Sequence, residues 1–200
     1  MRQRFEAIYR TNEWLHGSGV GSLAVHTRGY VRFLQRFLRR YRIKSVADLG
    51  CGDWQFSRFV DWSAVTYTGY DVVESVVAAN RARFAAPNVS FHLRDSSMEA
   101  MAAADLLLVK DVLQHWSNRA IHAFLPRLAG YKYALITNCV HPRLAPNGDI
   151  VDGDFRFLDL RLPPFNVPAQ QVYAFTNHRP WWRRPFQDPQ WYKVVLQVGA

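Results

Sequence analysis

The sequence has little cysteine, and nothing in its spacing suggests a use for it. Its 200 residues include only two cysteines, Cys51 and Cys139, and no Cys-x-x-Cys pair. Two cysteines are too few for a disulfide framework, and the His-Glu-x-x-His pattern of many zinc enzymes is also missing. We therefore expect neither a disulfide-stabilised module nor a metal centre.

Long hydrophobic runs are missing as well. The longest apolar stretches, such as residues 105–109, are far shorter than the ~20 residues needed to span a bilayer. The first ten residues, MRQRFEAIYR, contain no apolar segment of the kind found in signal peptides. These absences predict a cytoplasmic protein without a membrane span, and the length suits one domain with a hydrophobic core.

The positive charge is concentrated near the beginning of the chain. The net charge is +9, and residues 1–44 contain ten basic residues but only two acidic ones. The rest of the chain is almost neutral, with 15 basic and 14 acidic residues. A basic segment of this kind can bind nucleic acid, an anionic membrane or an acidic substrate.

Residues 27–42 predict a helix with two different faces. Apolar side chains recur every three or four residues, and arginines recur every four residues on another side. The arginines are Arg28, Arg32, Arg36 and Arg40. This spacing favours a solvated basic face over a nucleic-acid surface. A loop rich in glycine and serine, residues 14–22, precedes the helix and can be a linker or a lid.

From Ser45 onward the sequence alternates between strand and helix patterns. The predicted strands are 45–49, 65–70, 89–93, 105–109 and 133–137, with helices at 72–84 and 117–128 and a helical turn or two at 54–60. Such alternation predicts a parallel sheet. Two further strands, 171–175 and 191–198, are expected to pair as an antiparallel hairpin at the edge of that sheet.

Three of the predicted strands end in groups that suit a nucleoside ligand. Ligands of open α/β sheets bind at the carboxyl ends of the strands, and Gly50 and Gly52 permit a tight turn there. Asp71, 19 residues after Gly52, can accept hydrogen bonds from both hydroxyls of a ribose. Asp95 and Ser96 follow the third strand and are placed to reach the amine of an adenine.

Two common nucleotide motifs do not fit. The third glycine of the dinucleotide fingerprint is replaced by Gln55, and there is no Walker A sequence. Both of these motifs bind phosphate groups. A ligand with adenine and ribose but no pyrophosphate therefore fits the sequence better than NAD does.

These segments resemble the class I S-adenosylmethionine-dependent methyltransferases. The resemblance rests on VADLGCGD at 46–53, on Asp71 and Asp95, and on DLLLVKDVLQHW at 105–116; it is strong over residues 44–140. The Trp14 loop, Gly153-Asp154-Phe-Arg156 and Pro163-Pro164-Phe165 also resemble a subset of small bacterial members. The resemblance implies an α/β, Rossmann-like seven-stranded sheet, mostly parallel with a C-terminal antiparallel hairpin and helices on both faces.

The resemblance also implies one methyltransferase domain with three parts and S-adenosyl-L-methionine as cofactor. Residues 1–43 form a basic helical segment with the lid loop, 44–140 the cofactor-binding core, and 141–200 the substrate loop and hairpin. The expected cofactor contacts are Trp14, Asp48, Gly50, Cys51, Gly52, Trp54, Asp71, Val72, Asp95, Ser96, Lys110, Asp111 and Val112. For Asp48 there is an alternative, which is a buried acid that supports the glycine turn.

Three residues are candidates for a general base in methyl transfer: His115, Asp111 and His141. His115 lies four residues after Asp111, so the two share a face if this segment is helical. His141 follows the fifth strand, and beside Pro142 it is also a candidate for a structural loop residue. A packing role for His115 and a cofactor contact for Asp111 remain open.

The acceptor is less well defined by the sequence. The Asn-Pro-Pro-Tyr or Asp-Pro-Pro-Tyr signature of nucleobase and amide methylation is missing, because residues 110–113 read Lys-Asp-Val-Leu. We therefore predict an enzyme that methylates an oxygen or nitrogen of a small molecule or glycan. The alternatives are an RNA or protein methyltransferase that uses the basic helix, and a cofactor-binding protein without catalysis.

Overall fold

The computed structural model describes residues 2–94, 101–176 and 192–200. Its helices are α1 (Arg2–Thr11), α2 (Ala24–Arg40), α3 (Glu74–Phe84) and α4 (Asn118–Phe124). Its strands are β1 (Ser45–Leu49), β2 (Thr66–Asp71), β3 (Val89–Leu93), β4 (Leu106–Lys110), β5 (Tyr133–Val140), β6 (Gln170–Phe175) and β7 (Tyr192–Val198). None of the helices in these ranges is long and apolar enough to cross a membrane.

The seven strands form one sheet in the order β3-β2-β1-β4-β5-β7-β6. The first five are parallel to one another, and β7 runs antiparallel between β5 and β6. This confirms the predicted mostly parallel sheet with a final antiparallel pair. Because the chain moves from β1 to β2 in one direction and to β4 in the other, a crevice forms at the carboxyl ends of β1 and β4.

Helices cover both faces of the sheet because the strands are apolar on both sides. In β4, Leu107 and Val109 belong to one buried cluster and Leu106 and Leu108 to the other. The first cluster includes residues of α1 and α4, and the second includes the apolar face of α2. Alternating side chains of a strand point to opposite faces, so a strand buried on both faces reads as a continuous apolar run.

Several boundaries differ from the sequence prediction for identifiable reasons. The predicted helix 117–128 ends at Phe124 and continues as a 3-10 helix to Gly130, because Pro126 has no N–H to donate to an α-helix. Its start is as predicted: the Ser117 side chain accepts a hydrogen bond from the Ala120 N–H. Strand β5 is longer than predicted because it pairs with β7 as far as Val140.

The long segment between β5 and β6 is ordered by two buried polar side chains. The Asn147 side chain donates to the carbonyl oxygens of Asp159 and Pro163 and accepts from the Asp159 N–H. The Arg156 guanidinium donates to the carbonyl oxygens of Trp116 and Gly148, at 2.6 Å each. Most of these bonds hold the segment together internally, and the bond to Trp116 fastens it to the chain after β4, beside the crevice.

Candidate functional site

A cleft lies at the crevice, at the carboxyl ends of β1, β2 and β4. The structure brings most of the predicted cofactor contacts together in its wall. These are Trp14, Asp48, Gly50, Cys51, Gly52, Asp71, Val72, Lys110, Asp111 and Val112. His115 lines the same cleft.

One of the other predicted contacts lies elsewhere in the described structure. Trp54 is buried in the core, where its ring packs against those of Tyr67, Phe84 and Phe91 at 5.0–5.6 Å between centroids. It is therefore a packing residue, and its predicted position at the cofactor is not what the structure shows. Asp95 and Ser96 lie outside the described residues.

The glycine turn after β1 requires its glycines. Gly50 and Gly52 have φ values of 69° and 55°, in the left-handed region that disfavours side chains. A β-carbon at Gly50 would overlap the Val112 side chain, and one at Gly52 would overlap the Ser18 hydroxyl. The turn is thus packed tightly on both sides.

A substitution at Gly50 tests this packing. We expect Gly50→Ala to lower the free energy of unfolding by about 1–3 kcal/mol, because the new β-carbon combines a strained φ with an overlap. Gly148→Ala is the matched control, since no atom lies within 4 Å of a β-carbon there. Chemical denaturation of both variants is the measurement. Equal stabilities would contradict the tight packing of the turn.

Asp71 organises the turn from the end of β2. Its carboxylate accepts hydrogen bonds from the N–H groups of Gly52 and Val73, each at 3.0 Å. Burial raises the pKa of Asp71, although these bonds favour the ionised form. A carboxylate has about four acceptor positions, so Asp71 retains the capacity to accept from ligand hydroxyls.

The loop that precedes α2 lies directly against this turn. The Ser18 hydroxyl lies 2.7 Å from the Tyr9 hydroxyl and accepts from the Asp53 N–H at 3.0 Å. The Gln55 amide donates to the Asp53 carboxylate at 2.6 Å and to the His16 carbonyl. The glycine- and serine-rich loop thus forms one wall of the cleft.

A buried charged cluster lies at one end of the cleft. The Lys110 ammonium is 2.6 Å from Asp111 Oδ2, and the Lys193 ammonium from β7 donates to the same oxygen. The two lysine side chains are only 4% and 3% exposed. Burial lowers the pKa of Lys110 to about 8. Burial alone would raise the pKa of Asp111, but the two ammonium groups lower it to about 2.

Asp48 is a buried acid beneath this cluster. Burial raises its pKa to about 7, and the Tyr67 hydroxyl donates to its carboxylate at 2.6 Å. It lines the cleft, and this bond also ties β1 to β2. Asp48 is therefore a buried acid in the wall of the cleft, and its contact with the cofactor stays a prediction.

His115 is held by backbone groups at its two sides. Its Nδ1 lies 2.8 Å from the Asp154 carbonyl oxygen, and the Gly153 N–H donates to the His115 carbonyl at 2.8 Å. Because a carbonyl can only accept, Nδ1 carries the proton, and the unprotonated Nε2 lies 3.4 Å from the side-chain amide nitrogen of Gln114, which can donate to it. Burial lowers the pKa of His115, so its imidazole is neutral at neutral pH. The Trp14 ring packs on it at 4.7 Å between centroids.

A second cleft of about 270 Å³ adjoins the first. The two share Trp14, Ser18, Ser22, Asp111 and His115. The second cleft is further lined by Gly19, Val20, Gly21, Gln114, Cys139, Phe155 and Lys193. Asp111 and His115 therefore stand at the junction of two adjoining spaces.

His141 lines neither of these clefts. Its Nδ1 accepts from the N–H groups of Arg143 and Leu144, at 3.1 Å each, and its ring packs on Phe157. These contacts stabilise the turn after β5. The structure therefore does not place His141 where a base would act.

Solved structures with the same fold include several methyltransferases. The 1,6-didemethyltoxoflavin-N1-methyltransferase of Burkholderia thailandensis, with bound S-adenosylhomocysteine, aligns with 100% of this chain and 87% of its own, with a TM-score of 0.65 and 19% identity. The magnesium protoporphyrin IX methyltransferase of Synechocystis PCC 6803 aligns with 86% of this chain and 83% of its own, with a TM-score of 0.57 and 15% identity.

The N-terminal domain of EvdMO1, with bound S-adenosylhomocysteine, aligns with 100% of this chain and 97% of its own, with a TM-score of 0.62 and 13% identity. No protein-family model and no curated protein matches the sequence. At these identities the likeness shows the fold. The predicted Rossmann-like methyltransferase fold is therefore confirmed.

Proposed function

We propose that this protein is an S-adenosylmethionine-dependent methyltransferase that acts on an oxygen or nitrogen of a small molecule or glycan. One observation carries the proposal. The cleft at the glycine turn and Asp71 adjoins a second cleft, and Asp111 and His115 lie at the junction. A cofactor and an acceptor bound in the two clefts would meet there. The proposal is further supported by structures of this fold that hold S-adenosylmethionine or S-adenosylhomocysteine.

The residues of the first cleft fit this cofactor. Asp71 suits the two ribose hydroxyls, and the left-handed Gly50 and Gly52 permit close approach of a ligand to the backbone. Among the described residues, Asp53 Oδ1 and Gln55 Oε1 are buried without a hydrogen-bond partner. These two oxygens can accept from the ammonium group of the methionine moiety. When bound, the cofactor supplies a methyl group activated by a sulfonium.

The side chains at the junction can orient the acceptor and receive its proton. A hydroxyl must lose its proton as it accepts a methyl group, and a protonated amine must lose a proton beforehand to free its lone pair. His115 suits this task, because its Nε2 is unprotonated, with only a long 3.4 Å contact to the Gln114 amide, and its imidazole is neutral. Asp111 suits it poorly, because a carboxylate with a pKa of about 2 holds a proton weakly. We assign the base to His115 and an electrostatic role to Asp111, while Trp14 excludes water from one side.

Two measurements test the proposal. Calorimetric titration with S-adenosylhomocysteine is expected to show binding to the purified protein. Incubation with S-adenosylmethionine tritiated at the methyl group is then expected to label an acceptor in a metabolite or glycan pool. Absence of binding would refute the proposal. Binding without transfer to metabolites, glycans, RNA or protein would favour the non-catalytic alternative.

The alternative of an RNA or protein acceptor depends on the arginine face of α2. Arg28, Arg32, Arg36 and Arg40 are all exposed along α2, and the opposite face of the helix packs in the core. We expect this to be a solvated surface, so replacement of all four by glutamine is expected to leave S-adenosylhomocysteine affinity unchanged. Binding to RNA at increasing salt is the second measurement. An affinity for RNA that falls steeply with salt in the wild type, and is lost in the variant, would favour an RNA acceptor.

A further inference from the structure

We propose that Arg156 is a positioning residue for His115, and that it acts through the backbone carbonyl group of Asp154. The inference rests on the proposed function, in which His115 receives the proton of the acceptor. It is carried by the hydrogen bonds between two stretches of the chain, residues 114–118 after β4 and residues 148–156 in the long segment between β5 and β6.

Each residue from 114 to 118 makes a hydrogen bond of 2.6–3.2 Å to the stretch 148–156. The bonds run from the Arg156 N–H to the Gln114 carbonyl, from the Gly153 N–H to the His115 carbonyl, from the Arg156 guanidinium to the Trp116 carbonyl, from the Ser117 N–H to the Asp152 carboxylate and from the Asn118 N–H to the Asp149 carboxylate. Bonds at successive residues fix the register of the two stretches. The position of His115 therefore depends on the stretch 148–156.

The Arg156 guanidinium bridges the two stretches. It donates to the carbonyl oxygens of Gly148 and Trp116 at 2.6 Å each and to Asn118 Oδ1 at 2.5 Å. Arg156 is only 7% exposed, and hydrogen bonds from a charged donor are stronger than those between neutral groups. Arg156 is not in the described wall of either cleft, so any effect on the acceptor passes through other residues.

The neighbours of the two ring nitrogens of His115 select one neutral tautomer. Nδ1 lies 2.8 Å from the Asp154 carbonyl oxygen, which can only accept a hydrogen bond. Nε2 lies 3.4 Å from the side-chain nitrogen of Gln114. The other end of that amide, Gln114 Oε1, accepts from the Cys139 N–H at 2.8 Å, which directs the NH₂ group toward His115. Both neighbours favour a proton on Nδ1 and a lone pair on Nε2.

This tautomer matters for the proposed chemistry, because only an imidazole nitrogen without a proton can receive one. If Arg156 no longer holds the stretch 148–156, the Asp154 carbonyl is free to move away from Nδ1, and the preference for the Nδ1–H form falls. Gly153, Asp154 and Arg156, which form a motif in the sequence, thus have a common role, since all three bind residues 115–118.

The test measures which ring nitrogen of His115 carries the proton. NMR of the full chain with isotope-labelled imidazole nitrogens distinguishes a protonated from an unprotonated nitrogen at about pH 8, where the ring is neutral. His115→Gln identifies the His115 signals among those of the seven histidines. We expect the Nδ1–H form to predominate in the wild type. In Arg156→Met we expect the ratio of the Nδ1–H form to the Nε2–H form to fall by about 5- to 10-fold, because the hydrogen bond that distinguishes the two forms is weakened.

A second variant and a control accompany this measurement. Arg156→Lys keeps the positive charge, but one ammonium cannot occupy both positions of the guanidinium nitrogens, so we expect a smaller fall in the ratio. Arg161→Met is the matched control from the same segment, since the Arg161 guanidinium bonds to Asp159 and Gln171. It is expected to keep the wild-type ratio. Thermal unfolding verifies that each variant is folded.

The outcomes separate this inference from the function on which it rests. A wild type that does not bind S-adenosylhomocysteine would refute the proposed function, and the tautomer ratios would still decide the role of Arg156. The inference fails, and the function stands, if the Nε2–H form predominates in the wild type, if the folded Arg156 variants keep the wild-type ratio, or if Arg161→Met shows an equal fall. A fall in the Arg156 variants alone would support the inference, and Arg156→Lys decides if Arg156→Met does not fold.

Discussion

Replacement of Asp71 by alanine is expected to weaken the binding of S-adenosylhomocysteine by about 100-fold or more. The carboxylate is placed to accept hydrogen bonds from two ribose hydroxyls, and a hydrogen bond to a charged group contributes about 1.5–3 kcal/mol. Two such bonds correspond to at least about two powers of ten in the dissociation constant. Calorimetric titration of the variant measures this loss directly.

The same carboxylate also accepts from the Gly52 and Val73 N–H groups, so a control must separate ligand contact from damage to the turn. Asp71→Asn keeps an oxygen that can accept from one of these N–H groups. We expect its affinity for S-adenosylhomocysteine to lie between those of the wild type and Asp71→Ala. Asp61→Ala removes an exposed carboxylate in the loop before β2 and is expected to bind S-adenosylhomocysteine as the wild type does. A folded Asp71→Ala protein with wild-type affinity would refute the assignment of the ribose site.

The parts of the site that the sequence predicts well are those set by the local chain. Gly50 and Gly52 follow β1 and Asp71 is the last residue of β2, and parallel strands bring their carboxyl ends to one edge of the sheet. Their position in the cleft therefore follows once the strands are recognised. The apolar run of β4 is a strand buried on both faces, and the residues just after it lie in the same cleft.

The parts that the sequence analysis missed depend on contacts between distant segments. Lys193 reaches Asp111 across 82 residues, because β7 is inserted beside β5 with Cys139 opposite Lys193. No local pattern shows that register. Helix α1 is different, because a local signal for it exists. Phe5 and Tyr9 line the cleft, Ile8 is buried, and the three have helical spacing. The basic composition of the segment obscured this pattern.

Two predicted site residues took other places for physical reasons. Trp54 follows the glycine turn, but its large ring gains more by burial against the rings of the core than at an open cleft. His141 follows β5, but its Nδ1 accepts from two N–H groups of its own turn. Proximity in sequence to a strand end places a residue near the cleft, and the direction of the side chain then decides its role.

The second large effect is a loss of stability, which we expect from Asp111→Asn. The substitution removes the carboxylate that Lys110 and Lys193 share, and removal of one partner from a buried ion pair typically costs about 3–5 kcal/mol in the free energy of unfolding. Chemical denaturation at pH 6 measures the loss. The double variant Asp111→Asn with Lys193→Met is expected to recover part of it, because only one buried ammonium then remains. Asp61→Asn, on the surface, is expected to change the free energy of unfolding by about 0.5 kcal/mol or less.

The pH dependence of that loss follows from the direction of each pKa. The Asp111 pKa is lowered from 3.8 to about 2, so its contribution is fully present above about pH 4 and is lost as the pH falls through about 2. Burial lowers the Lys110 pKa from 10.5 to about 8, and removal of Asp111 lowers it further, so Lys110 loses its proton more readily in the variant. The difference between wild type and Asp111→Asn is therefore expected to be larger at pH 6 than at pH 9. A difference that is below about 1 kcal/mol at pH 6, or that grows from pH 6 to pH 9, would show that the two ammonium groups do not depend on Asp111.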